Sequence, residues 1–398
     1  MQAAISSTEP LIESSGAVVP KILGLTVFGP PFDPGSWSGS ARSLFSLLQD
    51  KGNLSAAHSV DLTTTQKFVS SVRRPSLNRR RLYLNVMKNS VSYHLRSANS
   101  RRILENTAHD YNVVLQLGAL FQPPVRKGVL HCSYHDGNTA VSRRSEFSYT
   151  KASRGVLAES WQSEQEFYRR VHLIFTMSEW LRQSMIHDFG ASPDKVIAVG
   201  AGPNLNYARQ IIDSNTPQTH HRNKTILFVG VDFEGKGGPM LVEVFRRVRK
   251  EVPQAKLQIV GCNVPIDEPG IEVVGVLDKS DPRQEARLRQ LYEQACVFAL
   301  PTRFDCFGIA FVEAMYHRLP CIGSNICAIP EIILDGETGF ILPPHEPSKW
   351  ADHIIQLLGD ERLSRRMGDR GFEYATTRYN WDFVVDNMLT AMRSRLCL

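Results

Sequence analysis

Phe304-Asp305-Cys306-Phe307-Gly308-Ile309-Ala310-Phe311-Val312-Glu313-Ala314-Met315 stands directly behind a short apolar run, Val297 to Leu300. The run predicts a strand, and the stretch from Ile309 to Tyr316 predicts a helix, with Gly308 at the join. A strand, loop and helix in that order leave free N–H groups at the helix start, where a glycine lets the backbone come close to a ligand. Seven residues separate Asp305, in the loop, from Glu313, about one turn into the helix. Carboxylates accept from neighbouring hydroxyls, so the pair suits a ribose or a hexose. The plainer alternative is a capping Asp305 and a solvated Glu313.

The same alternation extends outward from this unit. Strands are expected at Ile226 to Val229, Lys256 to Val260, Ile271 to Val274, Cys321 to Ile322 and Gly339 to Leu342. Helices are expected near Pro239 to Lys250, Gln284 to Ala295, Ser348 to Leu358 and Trp381 to Met392. Upstream, Lys21 to Phe28, Asn112 to Leu117, Val129 to Ser133, Leu173 to Met177 and Lys195 to Val199 form an earlier series of strands. Ser40 to Gln49 predicts a helix, and Glu164 to Arg170 the beginning of another. Alternating strands and helices imply parallel sheets covered on both faces, so the fold class is α/β with two Rossmann-like domains. The predicted division is a disordered lead-in over 1–20, a first domain over 21–205, a polar linker over 206–224, a second domain over 225–375 and a final helix within 376–398. Such sheets bind ligands beyond the carboxyl ends of their strands.

Three loops in those positions carry chemistry. Phe228-Val229-Gly230, followed by Gly235-Lys236-Gly237-Gly238, combines a strand end, a glycine loop, one cation and a helix start, which together suit a phosphate. Pro31-Phe32-Asp33-Pro34-Gly35-Ser36-Trp37-Ser38-Gly39-Ser40 follows the first strand, and Gly39 is the position where backbone would reach a ligand. Tyr134-His135-Asp136 follows another strand; taken alone, its histidine reads as a packed or capping residue.

Together these motifs resemble the family-4 retaining glycosyltransferases of GT-B fold, in glycosyltransferase group 1, over roughly residues 21 to 395. The acid-x7-acid segment, the glycine-lysine loop, Ile329-Pro330-Glu331-Ile332-Ile333 with Asp335-Gly336-Glu337-Thr338-Gly339-Phe340, and Asn380-Trp381-Asp382 all match that family's pattern. The resemblance implies two facing domains, with the last helix crossing back onto the first. It implies a hexosyltransferase that takes a UDP- or GDP-sugar and retains the anomeric configuration, the leaving diphosphate accepting the acceptor's proton. Lys236 would hold the diphosphate, Glu313 the ribose, and Asp305 with Phe307 and Gly308 the sugar. Gly39 would approach the donor from the first domain, and His135 would orient the sugar. No metal and no cofactor are implied. The sequence departs from the pattern at Val231, where arginine is common, at Asp305, where glutamate is common, and at Ala328, where glycine is common. Val231 favours one rival reading, a glycosyltransferase-like subunit that binds without turnover. A phosphorylase or an epimerase of the same fold is a second.

Composition limits the remaining classes. The 398 residues are 42% hydrophobic and 22% charged, as in ordinary globular chains. No apolar run is long enough to span a bilayer, and residues 1–20 lack the features of a signal peptide. Seven cysteines without a CxxC pair read as reduced packing residues of a cytoplasmic protein. The net charge is +6, and from Leu62 to Leu104 there is no acid among Lys67, Arg73, Arg74, Arg79, Arg80, Arg81, Lys88, Arg96, Arg101 and Arg102. That stretch is either a solvated face or a surface for an anionic acceptor or a peripheral membrane contact. Few aromatics interleave the cations, so nucleic acid is not expected as a partner.

Overall fold

The computed structural model describes residues 18–108, 110–144, 152–214 and 223–397. The first sheet contains β1 (Ile22–Thr26), β2 (Leu54–Ser59), β3 (Val113–Leu117), β4 (Leu130–His135), β5 (Leu173–Thr176) and β6 (Val196–Ala198). Its order is β2-β1-β3-β4-β5-β6, and every pairing is parallel. The second sheet contains β7 (Thr225–Val229), β8 (Lys256–Val260), β9 (Ile271–Gly275), β10 (Val297–Leu300), β11 (Cys321–Ser324) and β12 (Gly339–Leu342). It runs β12-β11-β10-β7-β8-β9, again wholly parallel. Strands such as β1, β3, β4 and β10 are buried along their whole length, which is why they read as continuous apolar runs rather than alternating ones.

Chain order reverses between β1 and β3 in one sheet and between β7 and β10 in the other. At such switch points the loops leaving adjacent strands diverge to opposite faces and open a crevice. The loops after β1, β7 and β10 carry three of the four sequence motifs; the fourth, Tyr134-His135-Asp136, stands at the end of β4.

Several boundaries differ from expectation. β2 and, through the basic stretch behind it, three helices, Thr64–Arg73, Arg79–Lys88 and Ser90–Asn106, stand where no element was expected. Glu164 to Arg170 ends a helix that starts at Arg154 rather than beginning one, because the polar first turns hide its periodicity. β4 continues through His135. The expected linker is helical over Ala208–Ser214, and Tyr207 is packed in the core with its hydroxyl 3.3 Å from His317 Nε2. The remainder of that linker, 215–222, and residues 1–17 of the lead-in lie outside the described residues.

The helix Trp381–Leu396 packs on the helix Ser40–Asp50 of the first domain, as expected. Trp381 Nε1 donates to the carbonyl of Pro203 at 2.9 Å, and Arg395 pairs with Asp194 at 2.9 Å. A second bridge joins the domains: the Glu331 carboxylate accepts the amides of Glu179 (2.9 Å) and Trp180 (2.6 Å), which open the helix Glu179–Phe189. A negative charge at a helix N-terminus is favourable, and here it is supplied from the opposite domain.

Candidate active site

The two switch points face one another across a cleft of about 870 Å³, lined from both domains. Pro34, Trp37, Ser38, Ser40, Asp136 and Met177 come from the first; Lys236, Asp305, Phe307, Gly308, Lys279 and Glu313 are among those from the second. All of these positions except Ser40, at the start of its helix, and Glu313 lie in loops or helix starts beyond strand ends.

Gly308 caps the helix Ile309–Tyr316 with φ +96°, a conformation that side chains with a Cβ adopt only with strain. That turn aims the free amides of the helix start into the cleft, where Gly308, Ile309 and Ala310 line the wall. Phe307, 4% exposed, anchors the loop against Tyr379 with ring centroids 5.9 Å apart. Asp305 pairs with Lys236 across the β7–β10 switch point, and both side chains are mostly buried. Glu313, from the same helix as Gly308, is almost fully buried and has two partners: Lys279 Nζ at 3.0 Å and Tyr292 Oη at 3.2 Å. Lys279 sits in the loop after β9 and also reaches the carbonyl of Asn204 at 3.4 Å, in the segment between the domains. The second domain therefore presents two carboxylate–lysine pairs side by side in one wall of the cleft.

On the first-domain side, Trp37 (φ +47°) and Ser38 (φ +58°) are left-handed without being glycine, and Gly39 follows at φ +100°. Two such non-glycine residues in succession are costly and persist only when the surroundings hold them. Here Trp37 stacks on Phe28 at 5.4 Å, meets Tyr134 edge-on at 5.4 Å, and donates through Nε1 to Asp136 Oδ2 at 3.2 Å. Asn204 Nδ2 ties the turn down through the Ser38 carbonyl (2.9 Å) and Ser40 Oγ (3.0 Å). Gly39 is the cap that turns this loop into the helix Ser40–Asp50, while Ser38 and Ser40 on either side of it line the cleft. Burial raises the Asp136 carboxyl above its ordinary value, with the Trp37 N–H opposing that shift.

His135 is not among the residues that line the cleft. As the last residue of β4 it points to the opposite face from Tyr134 and lies between Tyr168 (5.5 Å) and Phe167 (6.2 Å). It is 1% exposed, its Nε2 has no hydrogen-bond partner, and burial pulls its pKa down to about 3. The strand runs two residues past the expected Ser133, and with β4 ending at His135, Asp136 is the first to turn into the cleft. The structure thus brings Lys236, Asp305, Phe307, Gly308 and Glu313 together, puts Gly39 in the turn behind the wall, and leaves His135 packed beneath it.

Sequence reasoning did not select Trp37, Asp136, Lys279 or Tyr292. Trp37 and Asp136 lay inside the quoted motifs, and Lys279 follows a strand end, so the rule that loops after strands carry function would have reached it. Nothing in the sequence pairs Tyr292 with Glu313.

Residues 210–374 match the family model "Glycosyl transferases group 1". Over that segment the chain is similar to the family. Among curated relatives, the D-inositol 3-phosphate glycosyltransferase of Corynebacterium diphtheriae is 25% identical over 56% of this chain and 56% of its own length. The N-acetyl-alpha-D-glucosaminyl L-malate synthase of Bacillus anthracis is 30% identical over 38% of this chain and 40% of its own. The chain spans about half the length, or less, of the curated relatives it matches. Among solved structures, the sucrose-phosphate synthase of Thermosynechococcus elongatus aligns with a TM-score of 0.67 at 16% identity, covering 95% of this chain and 99% of that one. Anabaena HepE, in complex with UDP and glucose, aligns at 0.61 and 14% identity, covering 94% and 100%. Likeness over nearly the whole length shows the GT-B fold in both domains.

Proposed function

We propose that this chain is a retaining hexosyltransferase that moves a sugar from a nucleoside-diphosphate sugar to an acceptor held by its first domain. The observation carrying this reading is the placement of Lys236, Asp305 and Glu313 on one cleft wall at the switch point of the second sheet. Lys236 meets the diphosphate, the amides at Gly308 and beyond meet the sugar or phosphate oxygens, Glu313 takes the ribose hydroxyls, and Asp305 takes the sugar. The glycosyltransferase name of its Corynebacterium relative and the UDP and glucose bound by HepE support a nucleotide-sugar donor. Catalysis on this reading is positioning plus stabilisation of the leaving diphosphate's charge. It assigns no metal or other cofactor, so transfer should survive a chelator. It places the reaction in the cytoplasm, consistent with seven cysteines none of which is in a disulfide.

Val231 lines the same cleft, 75% exposed, where it offers no charge to a phosphate. That position favours a second reading, a subunit that binds nucleotide sugar without turnover. Incubating the protein with UDP- and GDP-hexoses and following release of nucleoside diphosphate separates the two. Release that disappears in the Lys236→Ala, Glu313→Ala double variant supports the enzyme. Tight nucleotide binding without release, over a range of acceptors, supports the binding subunit.

A further inference from the structure

The helix Thr64–Arg73 is built inside out, and the helix Arg79–Lys88 beside it turns Leu84 inward and its arginines out. A surface helix of a globular domain ordinarily turns its apolar stripe inward. In Thr64–Arg73 the one buried residue is Ser70, bonded through Oγ to Asn89 Oδ1 at 3.1 Å and against Ser92. Asn85, Asn89, Ser92, Arg96 and Ser100 continue this polar seam through the neighbouring helices, all of them buried. The apolar side chains face out instead: Phe68 (69% exposed), Val69 and Val72 at helical spacing, then a fully exposed Leu77 in the turn and Tyr83 beyond it. Lys67, Arg73, Arg79 and Arg81 are exposed around them, and no acid lies between Leu62 and Leu104. Arg80, read in sequence as part of the same cluster, reaches across the domains to Asp232 at 2.9 Å, which sets this helix beside the glycine-lysine loop.

We propose that this face docks the protein on a bilayer containing anionic lipids, with Phe68, Val69, Val72 and Leu77 entering the headgroup layer and Lys67, Arg73, Arg79 and Arg81 meeting its phosphates. Protruding apolar side chains ringed by cations have the character of an interfacial surface, with apolar burial and charge attraction acting together. A second copy of this chain fits the face poorly, because a twofold contact would lay cation against cation. The site sits outside the cleft and does not depend on the transferase reading.

The test is co-sedimentation of the purified full chain with vesicles of pure phosphatidylcholine and of equimolar phosphatidylcholine and phosphatidylglycerol. Binding is expected to the anionic vesicles at about 0.1 M salt and to fall as the salt is raised. Each basic residue near such a surface contributes about fivefold to partitioning, so Arg79→Gln with Arg81→Gln should weaken binding more than tenfold. Phe68→Ser with Leu77→Ser should weaken it by at least about tenfold through lost apolar burial. Both positions are exposed, so thermal stability and nucleotide binding should stay at wild-type values. Equal sedimentation with neutral vesicles, or no change in either variant, would overturn the assignment. So would a dimer in solution that the serine variant dissociates, which would give the face to a second copy.

Discussion

Replacing Lys236 with alanine removes the cation opposite Asp305 and leaves the cleft wall with carboxylates at Asp305 and Asp136 and one remaining pair, Lys279 with Glu313. A lysine about 5 Å from a phosphate charge, at the effective dielectric of about 20 suited to a half-buried site, is worth about 3 kcal/mol. Two corrections act in opposite directions. In the free protein Lys236 already holds Asp305, and part of the phosphate attraction repeats what that pair supplied, at about 1 kcal/mol. In the variant the released Asp305 repels the diphosphate by a similar amount. The net expectation is therefore about 2 to 3 kcal/mol, a thirtyfold to hundredfold rise in the dissociation constant for UDP or GDP. Titration calorimetry measures it directly. A nucleotide at a hundred times its wild-type dissociation constant stabilises the protein by about 2.7 kcal/mol, while a hundredfold weaker variant at the same concentration gains only about 0.4 kcal/mol. Adding Asp305→Asn to Lys236→Ala should recover part of the loss by deleting the repulsion. A Lys236→Ala protein that binds each nucleotide within twofold of wild type would refute the placement of the diphosphate at this lysine.

Asp305→Asn alone should leave nucleotide binding unchanged or tighter, since Lys236 no longer divides its charge, while sugar transfer falls; a parallel loss of both would tie Asp305 to the nucleotide. Glu313→Ala strands the buried Tyr292 hydroxyl and unpairs the partly exposed Lys279, so it should lower stability by about 1–3 kcal/mol in urea titrations and weaken nucleosides that carry a ribose more than those that carry a 2′-deoxyribose. Glu331→Ala removes the carboxylate that caps Glu179–Phe189 from across the domains, although Ser178 still caps that helix locally at 3.1 Å. It should cost about 1 kcal/mol and loosen the domain contact, visible as a larger radius in small-angle scattering; an unchanged radius and stability would show the bridge to be incidental. His135 is held neutral, its folded pKa about 3 against an ordinary 6.5, so the stability it contributes is present above 6.5 and is lost as pH falls toward 3. Burial raises the Asp136 and Glu164 carboxyls, which titrate with the opposite sign, so the test is a comparison: His135→Gln should flatten the fall in stability between pH 6 and 4 by up to about 1.4 kcal/mol per unit. Equal slopes in the two proteins would place the titrating group elsewhere.

Much of the second domain was legible because its strands are buried on both faces and most of its helices carry an apolar stripe, although the helix Glu361–Arg378 was not expected. Lys256–Val260, Val297–Leu300, Ile309–Tyr316 and Gly339–Leu342 match the expected bounds. The layer between β2 and β3 was not legible, since the pattern is inverted there. A helix whose inward face is Ser70 and whose outward face is Phe68 and Val72 gives the periodicity method the wrong sign, and the polar Ser92, Arg96 and Ser100 face gives it nothing.

The site divides in the same physical way. Residues fixed by a local turn, such as Gly308 at a positive φ ahead of a helix, announce themselves by type and spacing. His135 did not, because β4 runs two residues past the expected Ser133, so a residue expected in the loop is held in the strand, facing away from Tyr134. The residue types near the end of β4 are plain in the sequence, but the ladder with β5, in which His135 pairs with Thr176, carries the strand to His135 and leaves Asp136 to turn into the cleft. The carboxylate–lysine pairs are a third kind. Asp305 meets Lys236 because β10 lies beside β7, and Glu313 meets Lys279 because the β9 loop folds over the same wall. Those adjacencies belong to strand order, which no local pattern encodes. They also give the cleft its character: Lys236 and Lys279 are each already paired with a carboxylate. On the proposed reading a diphosphate at Lys236 would have to exchange its charge for that of Asp305, and the cost of that exchange would limit how tightly the nucleotide alone binds.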